Sequence, residues 1–203
     1  MMRVLLASGN TKKIIELRRI LAESISPDVP VEILGLGDVE TFPATVESGL
    51  TFEENALLKA RDGARVTGLP CIADDSGLAV DALRGMPGVF SARWAGKHGD
   101  DRANLELLLN QIADVPDQYR AGGFVCAAAL VLPTGEEHVA LGEMRGRIIP
   151  APQGTGGFGY DPIFVPDGYD VTSAELDPAE KDAISHRGQA FRKLAKVIAE
   201  EIR

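Results

Sequence analysis

Cysteine is scarce in this sequence, long apolar runs are missing, and positive charge is outweighed by negative. Two cysteines in 203 residues cannot build a disulfide framework. Cys71 and Cys126 both stand in apolar contexts, Leu-Pro-Cys-Ile-Ala and Phe-Val-Cys-Ala-Ala, which predict buried free thiols in a reducing compartment rather than a bridge or a metal knuckle. The longest apolar runs, such as Cys126 to Leu132, are far too short to span a bilayer. Met1 to Ala7 lacks the basic and long apolar regions of a signal peptide, so a cytoplasmic protein without membrane contact is expected. The formal net charge of −9 argues against nucleic-acid binding, which needs a basic stripe. It does not exclude a small polyphosphate, which a few converging basic residues and a divalent cation hold in one place. Repeats, low-complexity tracts and an evident linker are also missing. A chain that is 45% hydrophobic and 25% charged then suits a single domain over residues 1–203.

Several catalytic signatures are absent as well. No G-x-x-x-x-G-K-[ST] run occurs, which removes the Walker loop, and no G-x-S-x-G elbow occurs, which removes the usual serine hydrolase. Gly154 to Gly159 spells G-x-G-x-x-G but lacks the strand before and helix after that a dinucleotide fold needs. Ser185-His186 are neighbours on one turn, so neither presents itself to the other as nucleophile and base. His98 and His138 have no partner ligand at helical spacing, which speaks against zinc.

What is present reads as alternating strands and helices. Arg3 to Ala7 suits a buried strand, and Thr11 to Ala22 places Ile14, Leu17 and Leu21 at helical spacing. Val31 to Leu34 is a second strand, followed by a Gly/Pro/Thr-rich loop through Gly49. Thr51 with Glu54 three residues later forms a capping box for a helix striped by Ala56, Leu57, Ala60 and Ala64 and ended by Gly68 and Pro70. Cys71 to Ala73 resumes a strand that is expected to end at Asp74-Asp75-Ser76-Gly77. A helix follows over about Asp101 to Ala113. Phe124 to Leu132 and His138 to Ile149 flank Pro133-Thr134-Gly135 as a long hairpin, and the chain closes with a helix from His186 to Arg203, capped by Ser185.

Four segments carry chemistry. Ser8-Gly9-Asn10-Thr11-Lys12-Lys13 joins a strand to a helix, where helix amides and lysine ammonium groups receive phosphate oxygens; the bland alternative is an Asn-capped turn with solvated lysines. Asp74-Asp75-Ser76-Gly77 puts two carboxylates at a strand end, and because neighbours in an extended segment point to opposite sides, only one aspartate should face a given ligand. The alternative there is a turn in which Asp and Ser satisfy backbone amides. The glycines around Phe158 allow close backbone approach and expose a ring for stacking on a base. His186 and Arg187 stand at a helix start, where a guanidinium and free amides read an anion or a base edge.

Taken together, Ser8-Gly9-Asn10 with Lys13, Thr51 to Ala56, Ala73 to Leu78, Pro87 to Arg93, Gly156 to Pro162 and Ser185 to Gly188 resemble, in order and almost end to end, the inosine triphosphate pyrophosphatase or Ham1-like family. The resemblance implies an α/β fold with an elongated mixed β-sheet flanked by helices and two lobes with a central active-site cleft. It also implies a homodimer and Mg2+-assisted hydrolysis of purine nucleoside triphosphates between the α- and β-phosphates. Carried over by position, Ser8, Gly9, Asn10, Thr11, Lys12 and Lys13 look like the phosphate loop, Asp75 like the proton acceptor or metal carboxylate, and Lys13 like a catalytic residue that balances charge on the leaving pyrophosphate. Ser76 looks like a substrate contact and Glu47 like the magnesium glutamate, with Glu53 or Glu54 as competitors. Phe158, Gly159, Tyr160, Asp161, Lys181, His186 and Arg187 look like the nucleoside set, with Arg187 or the amides near His186 donating to the oxygen at purine C6.

Overall fold

A computed structural model describes residues 2–24 and 31–201, with Lys12 described by its backbone alone. Seven strands, β1 (Met2–Leu6), β2 (Val31–Gly35), β3 (Cys71–Val80), β4 (Met86–Pro87), β5 (Ala121–Val131), β6 (Glu137–Ile148) and β7 (Phe164–Pro166), alternate with five α-helices: α1 (Thr11–Ser24), α2 (Phe52–Thr67), α3 (Asp101–Gln111), α4 (Pro178–Ile184) and α5 (His186–Glu201). The strands hydrogen-bond in the order β2-β1-β3-β5-β6-β7, with β4 on β3. β1 runs parallel to β2 and β3, whereas β4 is antiparallel to β3 and β7 to β6. The fold is therefore α/β with a mixed sheet flanked by helices.

The chain forms two compact units. Unit 1 comprises Met1–Asp75, Cys126–Gly142 and Arg187–Arg203; unit 2 comprises Ser76–Val125 and Glu143–His186. In unit 1 the period-two alternation of the strands sorts side chains into two cores. Val4, Leu6, Ile72, Cys126, Ala128 and Leu130 pack against α1 (Leu17, Ile20, Leu21) and α5 (Phe191, Leu194, Ile198). Leu5, Ala7, Cys71, Ala73, Ala127, Ala129 and Val131 pack against Ala56, Ala60 and Ala64 of α2. Helix α2 begins as its sequence dictates: Thr51 accepts from Glu54 N–H, the Glu54 carboxylate returns to Thr51 N–H, and Gly68 closes the helix in the left-handed region at φ 65°. Its inner face is made of small residues, and a Cβ on Gly63 would collide with Cys71 Sγ, so the helix lies close enough to the strands to require glycine there.

Unit 2 has its own core, in which Leu78 and Val80 of β3 meet Leu105 and Leu108 of α3 and Ile112 just beyond it, together with Phe124, Tyr160, Ile163 and Phe164. Asp100 caps α3 by accepting from Ala103 N–H. Two readings of the sequence need correction. β3 does not end at the acidic pair but runs on to Val80, because Asp74 and Asp75 find partners on helices rather than in their own backbone. Helix α4 is an element the periodicity did not reveal, although Asp177 as N-cap with Pro178 at the first position is an ordinary start signal.

Candidate active site

Asp74 and Asp75 are neighbours on β3, so their side chains leave the strand on opposite faces, and unit 1 builds a separate charged cluster around each. Asp74 continues the Ile72 face. It is 2% exposed and accepts from Lys13 Nζ at 3.0 Å, with Arg187 Nε at 3.6 Å. Arg187 Nη1 also donates to Glu16 at 3.3 Å. Burial by itself would raise the Asp74 pKa, but Lys13, Arg187 and Lys59 outweigh it and hold the carboxyl well below the usual carboxylate range. Lys13 is set by the loop that precedes it: Asn10 Oδ1 accepts from Lys13 N–H at 3.2 Å, and the Ser8 hydroxyl accepts from Asn10 N–H at 3.4 Å. Asn10 thus caps α1 as the turn reading expects, but Lys13 is directed at Asp74 rather than left to solvent.

Asp75 continues the Cys71 and Ala73 face towards α2. The Asn55 amide, fully buried, donates to Asp75 Oδ2 at 3.0 Å, and one turn later Lys59 Nζ lies 3.4 Å from Asp75 Oδ1. The same ammonium donates to Glu47 Oε1 at 2.9 Å. Glu47 is brought there by a tied loop. Asn55 Oδ1 accepts from Gly49 N–H at 2.8 Å, and the Glu54 carboxylate accepts from Leu50 N–H at 2.6 Å. A Cβ on Gly49 would stand 2.6 Å from the Glu54 Cβ, so this docking requires glycine. Burial raises the Asp75 pKa, Lys59 opposes the rise, and the Glu47 charge adds to it. Two carboxylates that share one cation form an oxygen donor set of the kind a hard divalent ion accepts, so Glu47 and Asp75 fit Mg2+ by chemistry and placement.

Lys13 and Asp75, both expected in the site, belong to different clusters: the Lys13 ammonium pairs with Asp74, and its charge reaches Asp75 as a secondary influence. Sequence reasoning missed Lys59, Asn55 and Glu16. Each left a faint signal: Asn55 and Lys59 are polar residues at i and i+4 bordering an alanine stripe, and Glu16 follows Lys13 by three positions on α1. Of the three glutamates offered for the metal, Glu47 is paired with Lys59, whereas Glu54 accepts from Leu50 and Thr51 N–H at the start of α2. Lys12 lies outside the residues with described side chains.

In unit 2, Asp161 organises the glycine-rich loop. It is 3% exposed, accepts from Phe158 N–H at 2.8 Å and from Lys181 Nζ at 2.6 Å, and a Cβ on Gly157 would collide with its carboxylate. Lys181 Nζ lies 5.6 Å from the centre of the half-buried Phe158 ring. Gly159 N–H donates to Asp101 at 3.0 Å, and the Tyr160 hydroxyl donates to Ser91 O at 2.9 Å. Burial pushes the Tyr160 phenol up, and the Asp101 charge adds to that. His186 is buried and stacks on Phe124 with ring centres 5.0 Å apart. Ser76 is half-buried on β3. Cys71 and Cys126 are buried and free, and burial raises the Cys71 thiol to about 12. His138 is half-buried and has two exposed carboxylates beside it, Glu136 two residues earlier and Glu201 from α5.

With this geometry in hand, the sequence profile of the Ham1 family matches residues 4–197. The chain belongs to the Ham1 family. Two relatives within it are a dITP/XTP pyrophosphatase of Nocardia farcinica, 62% identical over 98% of this chain and 96% of its own, and another of Streptomyces coelicolor, 56% identical over 98% of both. Among solved Ham1 structures, that of a HAM1 protein from Coxiella burnetii superposes with a TM-score of 0.87 at 41% identity, covering 98% of this chain and 100% of the other. A nucleoside-triphosphatase / dITP/XTP pyrophosphatase from Mycobacterium abscessus superposes with a TM-score of 0.78 at 55% identity, covering 97% and 99%.

Proposed function

We propose that this chain hydrolyses noncanonical purine nucleoside triphosphates, namely ITP, dITP and XTP, to the monophosphate and pyrophosphate, and so clears them from the nucleotide pool. The observation that carries the reading is the pair of clusters on β3: cations held at the strand by Asp74, and two carboxylates, Glu47 and Asp75, held around one cation position. The names of the relatives supply the substrate class. Glu47 and Asp75 would hold Mg2+ together with the substrate phosphates, where the ion would supply neutralisation of the polyphosphate charge. Asp75, fixed through Asn55, takes the proton of the attacking water or orients it. Lys13 and the N-terminal amides of α1, with Ser8 to Lys12, balance the charge developing on the pyrophosphate leaving group. Phe158, Gly159, Tyr160 and Asp161, with Lys181, hold the nucleoside, Ser76 contacts the substrate, and His186 and Arg187 read the base. A homodimer in the cytoplasm belongs to the same proposal.

Hypoxanthine and xanthine carry an oxygen at C6 where adenine carries an amino group, so a donor aimed there accepts the first two and rejects the third. A site left with an unpaired buried polar group discriminates by up to roughly 10⁴-fold, whereas an apolar pocket manages about 10². Guanine shares the C6 oxygen and is rejected only if its 2-amino group is left without an acceptor or is sterically excluded; on that footing the expected kcat/KM for ITP and XTP exceeds that for ATP and GTP by at least about two orders of magnitude. The test is a panel of ITP, XTP, ATP, GTP, UTP and dUTP with Mg2+, following pyrophosphate and monophosphate. Tight binding without release from any substrate would instead make the protein a nucleotide-binding regulator. Preferred release from UTP or dUTP would move it to a pyrimidine-directed activity.

A further inference from the structure

Lys59 occupies an informative position. Its side chain is 16% exposed, and its ammonium lies 2.9 Å from Glu47 Oε1 and 3.4 Å from Asp75 Oδ1. Asn55 orders both sides of this contact. Asn55 takes the other Asp75 oxygen, Oδ2, so that Oδ1 faces Lys59, and the same amide anchors Gly49 N–H, two residues beyond Glu47. The two oxygens that converge on the ammonium are therefore the two that a metal held by Glu47 and Asp75 would use.

We infer that Lys59 is a built-in counter-cation that competes with the divalent metal for Glu47 Oε1 and Asp75 Oδ1, and thereby makes metal binding depend on a polyphosphate arriving with it. The inference rests on reading Glu47 and Asp75 as metal ligands. Two cations cannot both sit within about 3 Å of the same pair of oxygens without strong repulsion, which is large where water is largely excluded. The charges of Glu47, Asp75 and Lys59 sum to −1, so adding a divalent ion would leave +1 in a mostly buried place. The anionic oxygens of a triphosphate remove that excess, and by linkage the metal then strengthens polyphosphate binding by the same factor.

The test titrates Mn2+ into the chelator-stripped full-length protein without nucleotide, reading free Mn2+ by electron paramagnetic resonance. All proteins carry His138→Ala, so that the Glu136–His138–Glu201 trio does not contribute. Lys59→Met should bind Mn2+ roughly tenfold or more tighter than the parent, since one repelling charge is gone. Lys59→Arg should stay as weak as the parent, and Lys59→Gln supplies the same reading as Met should Met disturb α2. Equal or weaker Mn2+ binding by both neutral variants overturns the competition. A second arm adds Asp75→Asn to Lys59→Met. Loss of the gained affinity supports the assigned ligands, whereas tight binding that survives it overturns the metal reading of Asp75 itself, a failure distinct from that of the competition.

Discussion

In unit 1 charge is balanced against charge: Asp74 between Lys13 and Arg187 on one face of β3, Asp75 and Glu47 around Lys59 on the other. In unit 2 the buried pair Asp161–Lys181 is set among rings and turns, with Phe158 under the ammonium and Tyr160 and the Phe124–His186 stack nearby in the chain. The first arrangement suits a ligand of high charge density and a metal. The second suits a flat, weakly polar group that needs shape and a few directed hydrogen bonds. On the proposed function, changes in unit 1 should lower turnover of every triphosphate alike, and changes in unit 2 should alter which base is preferred.

The largest effect is expected at Asp74. Asp74→Asn leaves the half-buried Lys13 and the buried Arg187 with one fewer counter-charge, and should cost about 3 kcal/mol of stability at pH 7. The pH dependence follows from the lowered pKa of Asp74. On acidification the unfolded chain takes up this proton first, so the contribution is fully present above the unfolded value of about 3.9 and is lost as pH falls through it towards the lower folded value. Urea midpoints at pH 7, 5, 4 and 3 should show the gap between parent and variant closing as pH drops, and a gap constant with pH contradicts the assignment. Next comes Asp75→Asn, which keeps shape but removes the charge. It should reduce kcat by roughly 10²-fold or more for ITP, XTP and ATP in equal proportion, and near-normal turnover would move the role to Glu47.

Phe158→Ala sharpens the contrast from the other side. Loss of a stacked ring should weaken nucleotide binding by about 1–3 kcal/mol, seen in KM more than kcat, while inorganic tripolyphosphate inhibits as before. Equal weakening towards tripolyphosphate would place Phe158 with the phosphates. Arg187→Ala tests the border of the comparison. As a base reader it narrows the ITP-to-ATP ratio; as a partner of Asp74 and Glu16 alone it slows both substrates and leaves the ratio unchanged. The smallest effect is expected at the exposed bidentate pair Arg61–Glu137, at 2.6 and 2.8 Å, where Arg61→Gln should change stability by less than about 1 kcal/mol and activity not at all.

Local patterning made much of this legible before any coordinates. The Thr51/Glu54 box, the alanine stripe and Gly68 define α2 almost to the residue, and Pro133-Thr134-Gly135 correctly separates β5 from β6. The alternation along β3 also predicted that Asp74 and Asp75 part company. What escaped is the set of partnerships between residues far apart in the chain. Lys13 meets Asp74 across 61 positions, Asn55 meets Asp75 across 20, and Glu16 meets Arg187 across 171. No periodicity encodes such pairs, because they depend on which helix covers which face of the sheet.

Gly63 shows how far from the chemistry its geometry is decided. Since a methyl group there would press on Cys71 Sγ, the distance between α2 and β3 is set by a residue that has no side chain at all. At about 1.5 Å of rise per residue, Lys59 and Asn55 stand about 6 and 12 Å along the same rigid rod. Gly63→Ala would act on that rod as a wedge near its fulcrum, swinging both groups away from Asp75 without touching a functional atom. Displacements of about 1 Å can cost roughly 10²-fold in rate, so the tolerance of the reaction centre is transmitted to a position that a search for reactive groups would pass over.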